Sequence, residues 1–483
     1  MSSPATPAPA SPDKAPPRGV VPPNDTAPGR LPLTSQQRWA LGLASVGSFM
    51  VILDMLVVAT ALTAIQRDLH ASMTDLEWTV NAYTLSFAVL LMTAAALGAR
   101  YGRRRFLAAG FALFSLASVA CALAPNTGVL IAARTVQGVG AAAIMPLALG
   151  LLNSAFPPAR RGWAIGIYGS LGSTAVVLGP VIGGVLTQGL AWEWIFWLNV
   201  PIGLLAIPAV LRRTEEGYGN RHAPVDLPGL TVFTLAAVGL VWGLVRSGAA
   251  GWGSAEVVGT LAGGAVLAVA FVAIEARTPA PMLPLRLFRS RSFSAGNAVI
   301  LLLSSSMTGA VFLMTQYQQI SLGEGPFATG LRMLPWGVPP VLLAASSGAL
   351  TDRLGERPLA VAGLVFQSAG MAWLAVACTS GASYLSMVVP MSLAGIGFAL
   401  GIPAVTKAVV STSAPADIPM ASGAYSTTRQ LGGAFGVAIL SAAFTAAGSY
   451  GSGASFADGF RAALAAAAAL AVAGAVAAMF LDR

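Results

Sequence analysis

From about residue 39 onward, predominantly apolar stretches of about 20 residues follow one another with short polar turns between them, and that pattern leaves few folds open. Each stretch has the length a helix needs to cross a bilayer. Within lipid only structures that satisfy their own backbone hydrogen bonds persist. Fourteen such stretches can be read, at about 39–65, 77–98, 106–125, 128–152, 162–187, 193–211, 228–246, 256–275, 293–318, 327–349, 359–378, 383–407, 420–447 and 460–481. Charged residues make up 9% of the 483 and hydrophobic ones 56%, where a soluble domain carries about 25% charge. The chain is therefore expected to be an all-α polytopic membrane protein.

The formal net charge of +9 does not form a nucleic-acid patch, because the basic residues are scattered singly and in twos and threes between the spans. They read as topology signals. With the N-terminus inside, all of the 27 Lys and Arg except Arg67, Arg134, Arg246, Arg332, Arg429 and Arg461 fall on the cytoplasmic side, which favours an even number of spans and two cytoplasmic ends. Residues 1–36, rich in Pro, Ala and Ser, are expected to form a disordered cytoplasmic tail. Cys121 and Cys378 lie inside separate apolar spans and are expected to be buried thiols.

Residues 162–184 read GWAIGIYGSLGSTAVVLGPVIGG. Gly162, Gly166, Gly169, Gly172, Gly179 and Gly183 recur at helical spacing and would leave one helix face without side chains. Pro180 adds a bend that a membrane helix tolerates when neighbours cover the freed carbonyl. Close and movable helix contact is the expected use of such a face. Asp54 lies deep in the first span and is read as the one carboxylate well inside a helix; a charged Asp there costs about 2.5–3.5 kcal/mol, so it is expected to face the interior. Either it takes and releases a proton, or it is a structural group bonded to backbone. Arg134 is the matching cation, sharing a face with Gln137, Gly138 and Ala141; it either reaches a carboxylate or snorkels to the interface. The turn 348–358, GALTDRLGERP, echoes 95–105, AALGARYGRRR, and Gly423-Ala-Tyr425 echoes Gly166-Ile-Tyr168, so two six-helix halves are expected. The boundaries place the tail at 1–36, a first bundle at 37–212, a linker with two additional helices at 213–292 and a second bundle at 293–483.

In order, these motifs resemble those of the major facilitator superfamily, specifically its fourteen-helix drug:proton antiporter branch, over about residues 39 to 447. Gly179-Pro180-Val-Ile-Gly183-Gly184 is similar to the antiporter signature of helix 5. The pattern Arg134-x-x-Gln137-Gly138-x-Gly140 is similar to that of helix 4, where the resemblance implies that Asp54 and Arg134 couple transport to protons. The turn after helix 2 keeps Arg100, Gly102, Arg103 and Arg104 but has Ala95 and Ala99 in place of its first Gly and its Asp. The second copy keeps Gly348, Leu350, Asp352, Arg353, Gly355 and Arg357. A turn carboxylate of this kind caps the next helix and pairs with arginine, so an unequal latch is expected.

The resemblance also implies a central cavity with Asn81, Tyr83, Gln137, Phe312, Gln316, Tyr317, Trp336, Tyr425 and Arg429 as candidate substrate contacts, each aromatic having packing as its alternative. Arg429 either binds anionic substrate groups or braces helices through carbonyls. Trp194-Ile-Phe196-x-x-Asn199-x-Pro201, opening helix 6, is read as architecture. No phosphate-binding loop, dinucleotide motif or metal spacing appears, which removes support for ATP-driven transport and for enzymology. The expected partners are a small-molecule substrate and the lipid bilayer, with no nucleic acid, no metal and no cofactor beyond the coupling proton, and the protein is expected to act as a monomer. The expected activity is proton-coupled export of hydrophobic or amphipathic compounds across a bacterial plasma membrane, with nutrient or metallophore import, or a non-transporting sensor, as alternatives.

Overall fold

A computed structural model describes residues 33–218, 226–279, 281, 283–411 and 418–482. The tail expected at 1–36 therefore lies almost wholly outside the described residues, as does His222. Among the described residues there are helices and no strand. The first half runs α1 (Ser35–Asp68), α2 (Met73–Tyr101), α3 (Arg103–Ala122), α4 (Thr127–Ala155), α5 (Pro158–Gly189), α6 (Trp194–Trp197) and α7 (Asn199–Arg213). Two further helices follow, α8 (Leu227–Ala250) and α9 (Ala255–Glu275). The second half runs α10 (Arg291–Ile320), α11 (Pro326–Arg332), α12 (Leu334–Leu354), α13 (Glu356–Ala377), α14 (Tyr384–Ser411), α15 (Ile418–Ala447) and α16 (Gly453–Ala478). Twelve helices are long and apolar enough to cross a membrane. Pro326–Leu343 and Ser346–Leu354, bent by 57° at the break inside α12, make up to thirteen when counted as one span. The 32-residue α5, with its apolar stretch Val177–Gly189, brings the element order to the fourteen read from sequence.

Helix starts follow from local chemistry. Thr34 and Ser72 each close a reciprocal capping box, with Gln37 and Asp75 respectively, which satisfies amides that a helix start leaves bare. Each half then packs within itself: α1 on α5 and α4, α2 on α4, α3 on α4 and α7, and, in the second half, α13 on α14 and α16, α10 on α15 and α16. Small residues permit the closest crossings. A Cβ on Gly140 would strike the backbone of α3 at Phe114, and one on Gly363 or Gly397 would strike the facing backbone between α13 and α14. The added helices α8 and α9 pack on each other and lean on the rest through α8, which touches α2 and α15.

The chain ends share one face. Ser292 at the start of α10 bonds Asp482 beyond α16, and α10 runs alongside α1 in the same direction, meeting it at Ala59 through Thr315. We call this the terminal face, and the other the distal face. The halves meet along α2 with α15 and along α5 with α11 and α12.

Candidate functional site

Asp54, twenty residues into α1, is 1% exposed and so is Arg134 of α4. Arg134 therefore does not snorkel to an interface. Its Nη1 lies 2.5 Å from Asp54 Oδ2, its Nε donates to the Thr79 carbonyl at 3.2 Å, and its guanidinium carbon sits 4.2 Å from the centre of the Tyr83 ring. Gln137 donates to Asp54 Oδ1 at 2.8 Å and accepts from Arg134 at 2.6 Å. Asn199, at the first turn of α7, donates to the same Oδ1 at 2.7 Å, and Ser118 of α3 accepts from Gln137 at 2.8 Å. Five helices thus converge on one carboxylate. Helical spacing builds the cluster: Arg134 and Gln137 share a face at i and i+3, and Gly138 beside them lets α4 approach the α2 backbone at Tyr83. The cluster is fully hydrogen-bonded on both carboxylate oxygens, the condition under which a buried pair holds together.

Asn199 went unrecognised as part of this site because it lies in a segment read as architectural. The available signal was a lone amide in an apolar helix. Tyr83 and Gln137, expected as substrate contacts, lie in this network; the Tyr83 hydroxyl donates to the Val51 carbonyl at 3.1 Å. Tyr317 and Trp336 lie inside the second half, the first donating to the Thr379 carbonyl at 2.6 Å and stacking on Phe460, the second donating to Met307 Sδ at 2.9 Å. Phe312 and Gln316 are buried on α10, Tyr425 accepts from Thr406 at 2.8 Å, and half-buried Arg429 makes no hydrogen bond or ion pair among the described residues. Asn81 is wholly buried with both amide atoms unpartnered. Asp54 is also not alone: Glu77, on α2 where it meets α15, is a second carboxylate in a span, 2% exposed.

The same helix that carries Asp54 seals the distal face. Thr63 of α1 donates to Gln319 of α10, whose amide returns a bond to the Thr60 carbonyl at 3.1 Å, and Thr315 donates to the Ala59 carbonyl at 3.0 Å. Gln188 of α5 accepts from the Phe327 amide at 3.1 Å. Among the described residues, all hydrogen bonds between the halves lie at this distal end. The glycine run splits accordingly. Gly172, Gly179 and Gly183 face α1 at Ile52, Leu56 and Val57, Gly184 faces the α11 backbone at Pro326 and Phe327, and Gly330 of α11 meets the Pro180 carbonyl. Gly169, nearer the terminal face, has open space where a side chain would be, and the surroundings of Gly162 and Gly166 lie outside the described residues.

At the terminal face the halves differ from expectation. Gly102 at the end of α2 has φ 112° and Gly355 at the end of α12 has φ 90°, a backbone that L side chains rarely adopt, so the two turns do repeat. The missing carboxylate at Ala99 is replaced from elsewhere. Glu216, beyond α7, accepts from the Arg104 amide at 2.9 Å and pairs with Arg104 and Arg105 at 3.4 and 3.6 Å. The first-half turn is thus latched to the end of its own bundle. In the second half, Lys407 of α14 pairs with Asp352 at 2.9 Å and Glu356 at 3.4 Å. Arg103 packs by Gly150 and Gly217, whereas Arg100 and Arg353 are exposed.

Two open grooves, lined by Ala295, Ala298 and Phe480 and by Val361, Val365 and Phe366, lie on the outside of the second half and touch none of these groups. Among the described residues, no group of three or more His, Cys, Asp or Glu is placed to hold a metal.

Comparison with known proteins agrees with this architecture. The chain is 37% identical to the tetracenomycin C resistance and export protein of Streptomyces glaucescens, over 83% of this chain and 75% of that one. It is 36% identical to the cephamycin export protein CmcT of Amycolatopsis lactamdurans, over 89% of each. A crystal structure of the peptide transporter POT superposes with a TM-score of 0.66 at 14% identity, covering 92% of this chain and 96% of that one. A model of the Major Facilitator Superfamily matches residues 44–436. With its helices, its sealed end and most of its length accounted for in this way, the chain is a multi-pass membrane protein that belongs to the Major Facilitator Superfamily, in the branch of the antibiotic-resistance and export proteins.

Proposed function

We propose that this protein is a proton-coupled antiporter that exports hydrophobic or amphipathic small molecules, antibiotics among them, across a bacterial plasma membrane by alternating access, with the terminal face cytoplasmic. The observation that carries the reading is the pairing of Asp54 with Arg134 on the helix whose far end forms the distal seal. About 13 Å of α1 separates Asp54 from Thr63, at 1.5 Å per residue. A proton arriving on Asp54 removes the negative charge that holds Arg134, and the guanidinium, which cannot itself deprotonate, keeps only Thr79 and Gln137. The packing of α1 on α4 and α7 is then no longer favoured. Because Leu56, Val57, Thr60 and Thr63 lie on the same rigid helix, a shift there is transmitted to the contacts that α1 makes with α5 and α10 at the distal end.

Each proton entering down the membrane potential contributes about 2.3 kcal/mol per 100 mV, apart from the pH gradient, enough to drive modest uphill export. The names of the relatives supply the substrate class, and the buried, unpartnered amide of Asn81 together with the unpaired charge of Arg429 would supply polar contacts. The test uses inside-out vesicles under an imposed pH gradient and a panel of labelled antibiotics. Wild type is expected to accumulate at least one compound, and Asp54→Asn none. Accumulation that survives Asp54→Asn would remove this acid from the coupling, and no accumulation of any compound would overturn the export reading.

A further inference from the structure

Glu77 sits one turn into α2, in a stretch of sequence that looks like an ordinary polar helix start. The fold gives it a different environment. It is 2% exposed, and its Oε2 has no hydrogen-bond partner. α15 of the opposite half brings the neutral hydroxyl of Ser441 beside it. Tyr450, just past α15, is within electrostatic reach of Glu77, and its own hydroxyl donates to Gln316 of α10 at 2.5 Å. One turn along α2 on the same face, Asn81 is buried with both amide atoms free.

The charges on the elements around Glu77 are committed elsewhere. Arg134 of α4 is bound to Asp54, and Arg246 of α8 to Glu256 of α9 at 2.9 Å. Asp75 on α2 itself caps the helix through Ser72, Arg67 at the end of α1 is exposed, and the part of α10 that reaches this region offers Gln316 rather than a charge. Among the described residues no cation pairs with Glu77.

An ionised carboxylate with a bare oxygen and no counter-charge is far more costly to bury than a neutral acid. α15 and the segment following it, both of the opposite half, stand beside Glu77, so parting the distal ends of the halves takes them away from it. We propose that Glu77 is a second proton-binding site, loaded from the distal side as the distal gate closes and emptied when the gate opens. Closure then takes up a proton at the junction of the halves, and acid on the distal side holds the gate shut. The inference shares with the export reading the alternation of access, but it needs neither substrate nor Asp54.

Gate distance can be read directly. Arg67→Cys and Ser383→Cys, exposed on the distal face of opposite halves, carry spin labels in the full-length protein in lipid nanodiscs, and pulsed electron resonance measures the closed-to-open ratio against pH. The closed population should fall as pH rises, by up to about tenfold per pH unit for one linked proton. Glu77→Gln should hold the gate mostly closed with a flat pH response, Glu77→Asp should restore a pH response, and Asp54→Asn should keep one. A pH response unchanged in Glu77→Gln, one abolished by Asp54→Asn, or none in wild type would overturn the proposal. A gate that follows pH through Glu77 in a protein that exports nothing would instead overturn only the export reading.

Discussion

The first half of this transporter buries a charge pair at its centre, Asp54 with Arg134, whereas the second half fills its interior with neutral groups that bond backbone. Gln367 donates to the Leu303 carbonyl at 3.1 Å, and Ser305 to the Gly432 carbonyl at 2.8 Å. Arg429 of that half is half-buried and makes no ion pair among the described residues. The same architecture, repeated, has thus been given two electrostatic characters. A charge pair in a low-dielectric interior is held only by its own partners and is sensitive to a single proton, while amides and hydroxyls are indifferent to pH. Under the proposed antiport, energy coupling falls to the first half, and the second is the partner against which α1 and α5 close.

Stability separates the two characters most sharply. Arg134→Gln should cost about 3–5 kcal/mol, because it leaves Asp54 buried without its cation, and adding Asp54→Asn should recover much of that. Gln367→Met in the second half should cost only about 1 kcal/mol. Thermal unfolding in detergent measures both. Equal costs would mean that the two interiors do not differ in the way described.

A smaller effect tests the ends of α5. Gly184→Ala would place a Cβ against the α11 backbone and disfavour distal closure by about 1–3 kcal/mol, lowering transport on the order of tenfold. Gly169→Ala enters open space and should leave transport near wild type. Similar losses at both positions would argue against a seal confined to the distal end. The smallest effect concerns the turns: Glu216→Ala removes a helix cap and should cost about 1 kcal/mol, whereas Lys407→Ala, breaking exposed pairs, should cost about 0.5 kcal/mol or less.

Much of this was legible in the sequence. The spans, the echo between the two turns, and Asp54 with Arg134 announced themselves as hydrophobic periodicity or as ionisable groups inside it. What escaped was where partners arise from distant segments. Ala99 suggested a missing latch, yet Glu216, more than a hundred residues later, supplies the carboxylate. Asn199 reads as architecture at the opening of a helix, and only the packing of α7 against α1 brings it to Asp54. Glu77 resembled a helix-start residue because nothing local shows that α15 covers it, although its spacing with Asn81 and Thr84 marks a polar face on an otherwise apolar helix. The glycine run reads as one face, but Gly172, Gly179 and Gly183 meet α1, Gly184 meets α11, and a Cβ on Gly169 would meet open space.

The central claim is that Asp54 carries the coupling proton. It is tested by adding a transported antibiotic to purified protein in weak buffer with a pH indicator, in a Glu77→Gln background so that the second carboxylate is silent. Protons should be released on binding when Asp54 is present, while the same protein with Asp54→Asn should still bind the compound and release none. Equal proton release from both would contradict the account.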